Sequence, residues 1–443
     1  MRRHEQLSLA QPWIDHPHAK EMEAISRILD READIAALIG QDLVHGVRHP
    51  HTGSRGMSGD QVLRVLVVKQ MNDFSYAALH FHLMDSASYR TFCRFGALEA
   101  VPSRSALAEN LKKVRAETLE AVNRILMGRA VREGVESGRK VRIDATGVKT
   151  NVHTPSDSSL LFDAVRVLTR LLARAEEVVG FGAWSDHTKR AKRRMLSIAS
   201  TRTPEKRREL YLDLLRVSHK TLGYTAEARK QLAGQGKRAL RIEAKMDQYG
   251  KLLSRVIEQT ERRILFGESV PATEKIVSIF ESHTDVIVKD RRETLYGHKV
   301  YLTGGPSGLI LDCVIRDGNP ADTTLSTSMI QRQAEIYGRV PRQVAMDGGF
   351  ASKENLREAK VLGVADVCFA KKRGLAVHEM VKSSWVYRRL RDFRAGIEAM
   401  ISFLKRAFGL DRCTWRGALS FRSYVWSGVL AANLLTLARQ MRV

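Results

Sequence analysis

The sequence predicts a mixed α/β domain that carries a helical insertion and follows an all-α N-terminal region. Three observations predict it. Apolar residues recur at helical spacing from residue 19 to about 135, and strand-like alternation begins only after Gly138. Between Pro155 and Pro271 the sole proline is Pro204, in a stretch of helical periodicity. These features place the helical N-terminal region at 1–137 and the α/β region at 138–443, interrupted by an insertion at about 156–272.

In the N-terminal region Ser58 is placed to cap a helix carrying Val62, Leu63, Val65, Leu66 and Val67. The next helix, 75–84, brings Tyr76, Leu79, Phe81 and Leu83. Only Asn72-Asp73-Phe74 separates the two, a spacing shared by helix-turn-helix motifs and by plain bundle segments. Another helix starts after Ser103 and runs through Leu107, Leu111 and Val114. Lys140-Val141-Arg142-Ile143-Asp144 alternates as a strand does and is expected to end at Asp144. Within the insertion, Ile242, Met246, Tyr249, Leu253 and Val256 step by four and three, the period of a helical hairpin or small bundle. Segments 299–303 and 309–315 flank Gly304-Gly305-Pro306-Ser307-Gly308 as a β-hairpin with a five-residue loop. A helix at 325–336, a strand ending at Asp347-Gly348-Gly349, a strand at 364–370 and helices at about 387–408 and 420–439 complete the chain.

Charge narrows the function. Lys and Arg number 73 against 49 Asp and Glu, a net charge of +24, which points to a polyanionic partner. Residues 156–270 hold 24 basic and 14 acidic residues, densest at Lys189-Arg190-Ala191-Lys192-Arg193-Arg194, either a solvated face or a phosphate contact. The four cysteines lie far apart with no CxxC, which argues against structural zinc and a disulfide framework and fits a reducing cytoplasm. MRRHEQLSLAQPW lacks the apolar core of a secretory signal, and no window offers about 18 uninterrupted apolar residues. The longest apolar stretch, 424–438, is broken by Ser427, Gly428, Asn433 and Thr436 and reads as a buried helix rather than a membrane span.

Three acids stand out by position. Asp144 and Asp347 each end a strand; if the strands are neighbours, two carboxylates face each other, which is costly unless a cation lies between them. Mg²⁺ prefers such oxygen ligands. Gly348-Gly349 would let a backbone or nucleotide approach. Taken singly, an Asp at a strand end simply starts a turn. Glu398 shares a helix face with Arg391, Arg394 and Lys405; spacing alone favours an exposed Arg394–Glu398 pair worth a few tenths of a kcal/mol. Its setting argues otherwise, because residues 382–412 hold eight basic residues and three acids. Two Asp and one Glu can hold two divalent ions, which stabilise both the attacking and the leaving oxygen of a phosphodiester.

At these residues the sequence resembles the DDE transposases of bacterial insertion sequences, most closely the ISNCY-like group. Val141-Arg142-Ile143-Asp144-Ala145-Thr146 continues into Asn151-Val152-His153-Thr154-Pro155-Ser156-Asp157-Ser158-Ser159-Leu160-Leu161, a run similar to the family's. Asp347-Gly348-Gly349-Phe350-Ala351-Ser352 fits its Asp-x-Gly-Phe/Tyr-x-Ser pattern, and Arg394, Glu398 and Lys405 reproduce its Arg, Glu, Lys spacing. Position 391 departs, carrying Arg where the pattern often has Tyr. The resemblance implies a ribonuclease-H-like catalytic domain and Asp144, Asp347 and Glu398 as the metal-binding triad for two Mg²⁺, with Mn²⁺ as substitute. It further implies that Arg394 and Lys405 face DNA, with Arg391 beside them. The N-terminal helices would bind terminal inverted repeats, and a homo-oligomer would assemble on element and target DNA, in the cytoplasm and on the nucleoid.

Two other readings compete. One is a non-catalytic DNA-binding regulator derived from a transposase. The other is an aspartyl-phosphate phosphatase, which needs a second Asp two positions after the first, where this chain has Thr146. His153 and His298 read as structural hydrogen-bonding residues, and Trp385, Trp415 and Trp426 as core.

Overall fold

The computed structural model describes residues 15–49, 52, 56–96, 98–289 and 293–440; the N-terminal segment considered for a leader lies outside them. The chain forms two compact units, Met1–Lys149 with His298–Val443, and Thr150–Gly297.

The first unit begins with α1 (Pro17–Arg31), α2 (Ala33–Val44), α3 (Gly59–Met71), α4 (Tyr76–Asp85), α5 (Ala87–Phe92), α6 (Arg104–Lys113) and α7 (Ala116–Arg132), followed by β1 (Lys140–Lys149). The second unit holds α8 (Asp157–Val179), α9 (Thr188–Ser200), α10 (Pro204–Leu232) and α11 (Lys237–Thr260), a π-helical turn at Glu261–Leu265, and β2 (Asp285–Lys289). β2 pairs antiparallel with the start of β3 (Glu293–Gly304). The chain returns to the first unit along β3 and adds β4 (Ile310–Ile315), α12 (Ser326–Tyr337), β5 (Gln343–Met346), α13 (Lys353–Val361), β6 (Asp366–Phe369), α14 (Val377–Met380), α15 (Ser384–Ala407) and α16 (Ala418–Gln440).

In the first unit β4 pairs antiparallel with β3, β3 neighbours β1, and β1, β5 and β6 pair in parallel. The N-terminal helices and this sheet share one continuous core, into which α16 is inserted; α8 to α11 bury a separate core of their own. α3 is buried on every side from Gly59 to Gln70, so of the two closely spaced helices only α4 offers an exposed face to a groove. Its charged Arg64, fully buried, is matched by Asp60, Asp30, Ser26 and the Phe92 carbonyl.

The polar residues of α16 show how an apolar helix is anchored in the core of the first unit. Asn433 accepts the Ile310 N–H at 2.8 Å and donates to the Ile310 carbonyl at 2.7 Å and to Asn123 at 2.8 Å. Ser427 accepts from Gln70 at 2.6 Å. Two of the interruptions of the apolar run, Ser427 and Asn433, are thus cross-links to α3 and to β4 and α7, each hydrogen bond worth about 1 kcal/mol when satisfied, while Thr436 bonds back to the Ala432 carbonyl of its own helix. No helix among the described residues is long and apolar enough to cross a membrane.

Three strands differ from expectation. β1 does not end at Asp144 but runs on to Lys149. The Lys149 N–H donates to the Asp411 carbonyl at 3.1 Å and its own carbonyl accepts from Cys413 at 2.8 Å, so a segment far along the chain supplies the missing pairing. β2 carried no local signal strong enough to be read, and β3 begins six residues before position 299.

α15 lies against the sheet, with Tyr387 donating to the Phe369 carbonyl of β6 at 2.9 Å, and makes its tightest approach over β1. Arg142 of β1 passes beneath it, 8% exposed, donating to the Phe393 carbonyl at 3.0 Å and to Met400 Sδ at 3.0 Å, with its guanidinium over the Phe393 ring. A Cβ at Gly396 would stand 2.0 Å from Arg142 Nη1. Overpacking of this kind costs about 1–3 kcal/mol. Gly396→Ala is therefore expected to destabilise the protein by that amount in urea unfolding, and Arg142→Met in the same chain to recover part of the loss; an unchanged midpoint in the single variant would contradict the contact.

Candidate active site

The parallel register sets the first two acids side by side. Ile143 pairs with Met346, so Asp144 within β1 and Asp347 just beyond β5 occupy the next matched positions. Asp347 stands at the N-cap position of the short 3₁₀ turn Gly348–Phe350, with its carboxylate left out of any capping hydrogen bond. The third acid comes from α15. That helix buries Val386, Tyr387, Leu390, Ile397, Met400 and Leu404, and Arg394 falls on the same stripe between Leu390 and Ile397, facing the sheet. Glu398 follows one turn later.

Arg394 ties the three together. Its Nη1 donates to Asp144 Oδ2 at 3.2 Å and to Asp347 Oδ1 at 3.3 Å, and its Nη2 donates to Glu398 Oε1. The exposed Arg394–Glu398 pair that spacing favours does form, but the same guanidinium, only 14% exposed, also reaches both aspartates. Arg394 thus points into the acid cluster rather than out to solvent. Arg391 is exposed one turn earlier, close to Cys368 and Tyr387, and Lys405 lies in the last turn of α15, about 10 Å along the axis from Glu398.

Electrostatics mark Asp144. Burial pushes its carboxyl up to about 6; Asp347 and Glu398 push the same way, while the Ala145 N–H at 2.7 Å and Arg394 pull it back. The side chain is 16% exposed, against 42% for Asp347 and 63% for Glu398, so the cluster is closed at β1 and open at the other two acids. Its donors are all carboxylate oxygens, the chemistry of a hard divalent cation. Among the described residues, however, no three His, Cys, Asp or Glu side chains stand close enough to hold a metal ion directly; here the guanidinium spaces the carboxylates.

The two glycines after Asp347 serve neighbouring side chains. A Cβ at Gly348 would stand 2.6 Å from Lys371 Cβ, and one at Gly349 2.5 Å from Asp322 Oδ2. Asp322 is in turn paired with Lys299 at 3.0 Å. Sequence reading passed over Lys371, Asp322, Arg142 and Gly396. The available signals were a triple cation, Lys371-Lys372-Arg373, directly after β6, and a glycine in the middle of a basic helix. His153 is exposed with Ser159 Oγ at 3.4 Å, and His298 is buried edge-on to Phe421. Trp415 and Trp426 are core, but Trp385 is 60% exposed under Arg389: it sits in the first turn of α15, off the stripe that packs. All four cysteines are buried and unbridged.

Two family models match the chain, a transposase DDE domain over residues 288–434 and a transposase domain (DUF772) over residues 12–113. The first contains Asp347 and Glu398 and begins after Asp144. No curated protein and no solved structure matches the chain.

The raised Asp144 carboxyl makes stability depend on pH. Folded, it keeps its proton to about pH 6; unfolded, it releases it near 3.8. The folded chain therefore binds more protons between those values and loses stability as pH rises through them, by up to about 3 kcal/mol. Urea unfolding of Asp144→Asn in chelator should show a stability difference that shifts by about that amount in favour of the variant between pH 4 and 7.5. A difference flat across this range would rule the environment out.

Proposed function

We propose that this chain, which belongs to the DDE transposases of insertion sequences, cuts DNA at its element's ends and joins them to a target at a centre formed by Asp144, Asp347 and Glu398. One observation carries this reading: acids on β1, after β5 and on α15, some two hundred and then fifty positions apart in sequence, converge on a single cationic group.

The sheet supports a ribonuclease-H-like catalytic domain. β1 and β5 lie in parallel at its middle, the β3–β4 hairpin neighbours β1, β6 follows β5, and α15 packs over the acid-bearing positions of β1 and just beyond β5. The three carboxylates would hold two Mg²⁺, or Mn²⁺ in their place, which when bound offset the charge that develops on a transferring phosphodiester and activate water or a 3′-hydroxyl. The chain's own residues do the rest. Asp347 and Glu398 lie open enough for a DNA strand to reach them, and Asp144, buried at the base, is ionised at neutral pH and above. Exposed Arg388, Arg389 and Arg391 and the cation Lys405 line α15, where they suit the phosphates on either side of the cut. Recognition of terminal inverted repeats falls to the N-terminal helices, within the stretch that matches the second transposase domain. The net charge of +24 favours duplex DNA throughout, as terminal repeats and as target. We place the protein in the cytoplasm, acting as a homo-oligomer on DNA at the nucleoid.

A regulator without catalysis is favoured by one fact: Arg394 fills the acid cluster. Nicking assays on DNA carrying the element's ends separate the readings. Nicking should require Mg²⁺ or Mn²⁺ and fall about 100-fold or more in Asp347→Ala, while DNA affinity stays within about threefold, the range of an exposed substitution. Binding without nicking under any divalent ion would select the regulator.

A further inference from the structure

The guanidinium of Arg394 occupies the place where the three acids converge. Nη1 serves Asp144 Oδ2 and Asp347 Oδ1, and Nη2 serves Glu398 Oε1. Carboxylate oxygens of these three residues would hold a divalent cation, and a cation placed among them would meet the like charge of the guanidinium at close range. The three carboxylates come from three separate elements, and this guanidinium is the group that hydrogen-bonds to all three of them.

We propose that Arg394 is a positioning residue that acts as an internal counter-cation. It holds the acid cluster assembled while no divalent ion is bound, and it must swing out before one can enter. A phosphate of arriving DNA is the natural acceptor for the released guanidinium, because it offers the same bidentate oxygen geometry as a carboxylate. The swing has an exit: Asp347 and Glu398 are open on the side away from Asp144, and Arg391 already faces solvent one turn before. In consequence the free protein binds divalent ions weakly and the DNA-bound protein binds them well. This rests on the transposase reading of the cluster and adds an order of events to it.

The size of the effect follows from population arithmetic. If the inward arginine is the state of at least nine molecules in ten, apparent affinity for the ion is reduced about tenfold or more. Linkage requires the reverse as well: DNA and ion must each tighten the other by the same factor.

Mn²⁺ binding to the full chain, read by electron paramagnetic resonance of the free ion, tests this with and without a duplex carrying the element's end. Arg394→Gln should bind Mn²⁺ at least about tenfold tighter than the parent in the absence of DNA. Arg394→Lys, which keeps the charge, should stay near the parent. Duplex should tighten Mn²⁺ binding by the parent and much less by Arg394→Gln. Should Arg394→Gln fail to fold by circular dichroism, the parent with and without duplex still decides, since equal Mn²⁺ affinity in the two states overturns the proposal. Equal or weaker binding by a folded Arg394→Gln overturns it too. Nicking that persists alongside unchanged Mn²⁺ affinities removes this inference alone, whereas no Mn²⁺ binding and no nicking in any state removes the transposase reading with it.

Discussion

The site depends on how deeply α15 settles onto β1. That depth is set where Arg142 passes under Gly396, a position at which any side chain would collide with the guanidinium. Two residues after Arg142 on the strand comes Asp144, and two residues on either side of Gly396 on the helix come Arg394 and Glu398. One contact therefore fixes the height of the helix over the strand and, through it, the distances among four charged groups. Buried arginine is a stiff spacer here because its hydrogen bonds to Phe393 and Met400 and its stacking on Phe393 leave it little room to yield.

A cluster of three acids is a liability to the fold. Asp144 is held away from water with two like charges nearby, so its ionised form is disfavoured, and the protein carries that strain at neutral pH. Arg394 is what makes the arrangement tolerable, in the same way that Arg64 in α3 is tolerated only among matched partners. The difference lies in access: Arg64 is sealed, while the acids around Arg394 open to solvent on one side.

The rest of the first unit makes this platform rigid. The N-terminal helices are not appended to the sheet but share its core, and α16 threads that core with Asn433 and Ser427 joined to β4, α7 and α3. The second unit interrupts the chain between β1 and β3 yet buries its own apolar residues, so a long insertion after the first acid's strand leaves the sheet order intact.

Much of this was legible along the chain. Local period and turn chemistry sufficed for the hairpin around Gly304–Gly308, for α12, α15 and α16, for the helical insertion and for Asp347 at a strand end, because those signals come from neighbours within a turn or two; the short helices α13 and α14 carried no such signal. The paired strand positions of Asp144 and Asp347 and the shared face of Arg394 and Glu398 could also be read as juxtapositions in waiting. What could not be read was anything settled by distant partners. β1 runs past Asp144 because the segment at 411–413 pairs with it; Gly348 and Gly349 accommodate Lys371 and Asp322 rather than an open approach; Trp385 lies outside a core that its apolar neighbours enter. Above all, the direction of Arg394 is a tertiary fact. The sequence by itself determined which charges exist and on which faces they stand; only the packing of α15 against β1 decided that one arginine would turn inward to meet three acids, since a side chain's charge is local but the potential it answers to is summed over the whole fold.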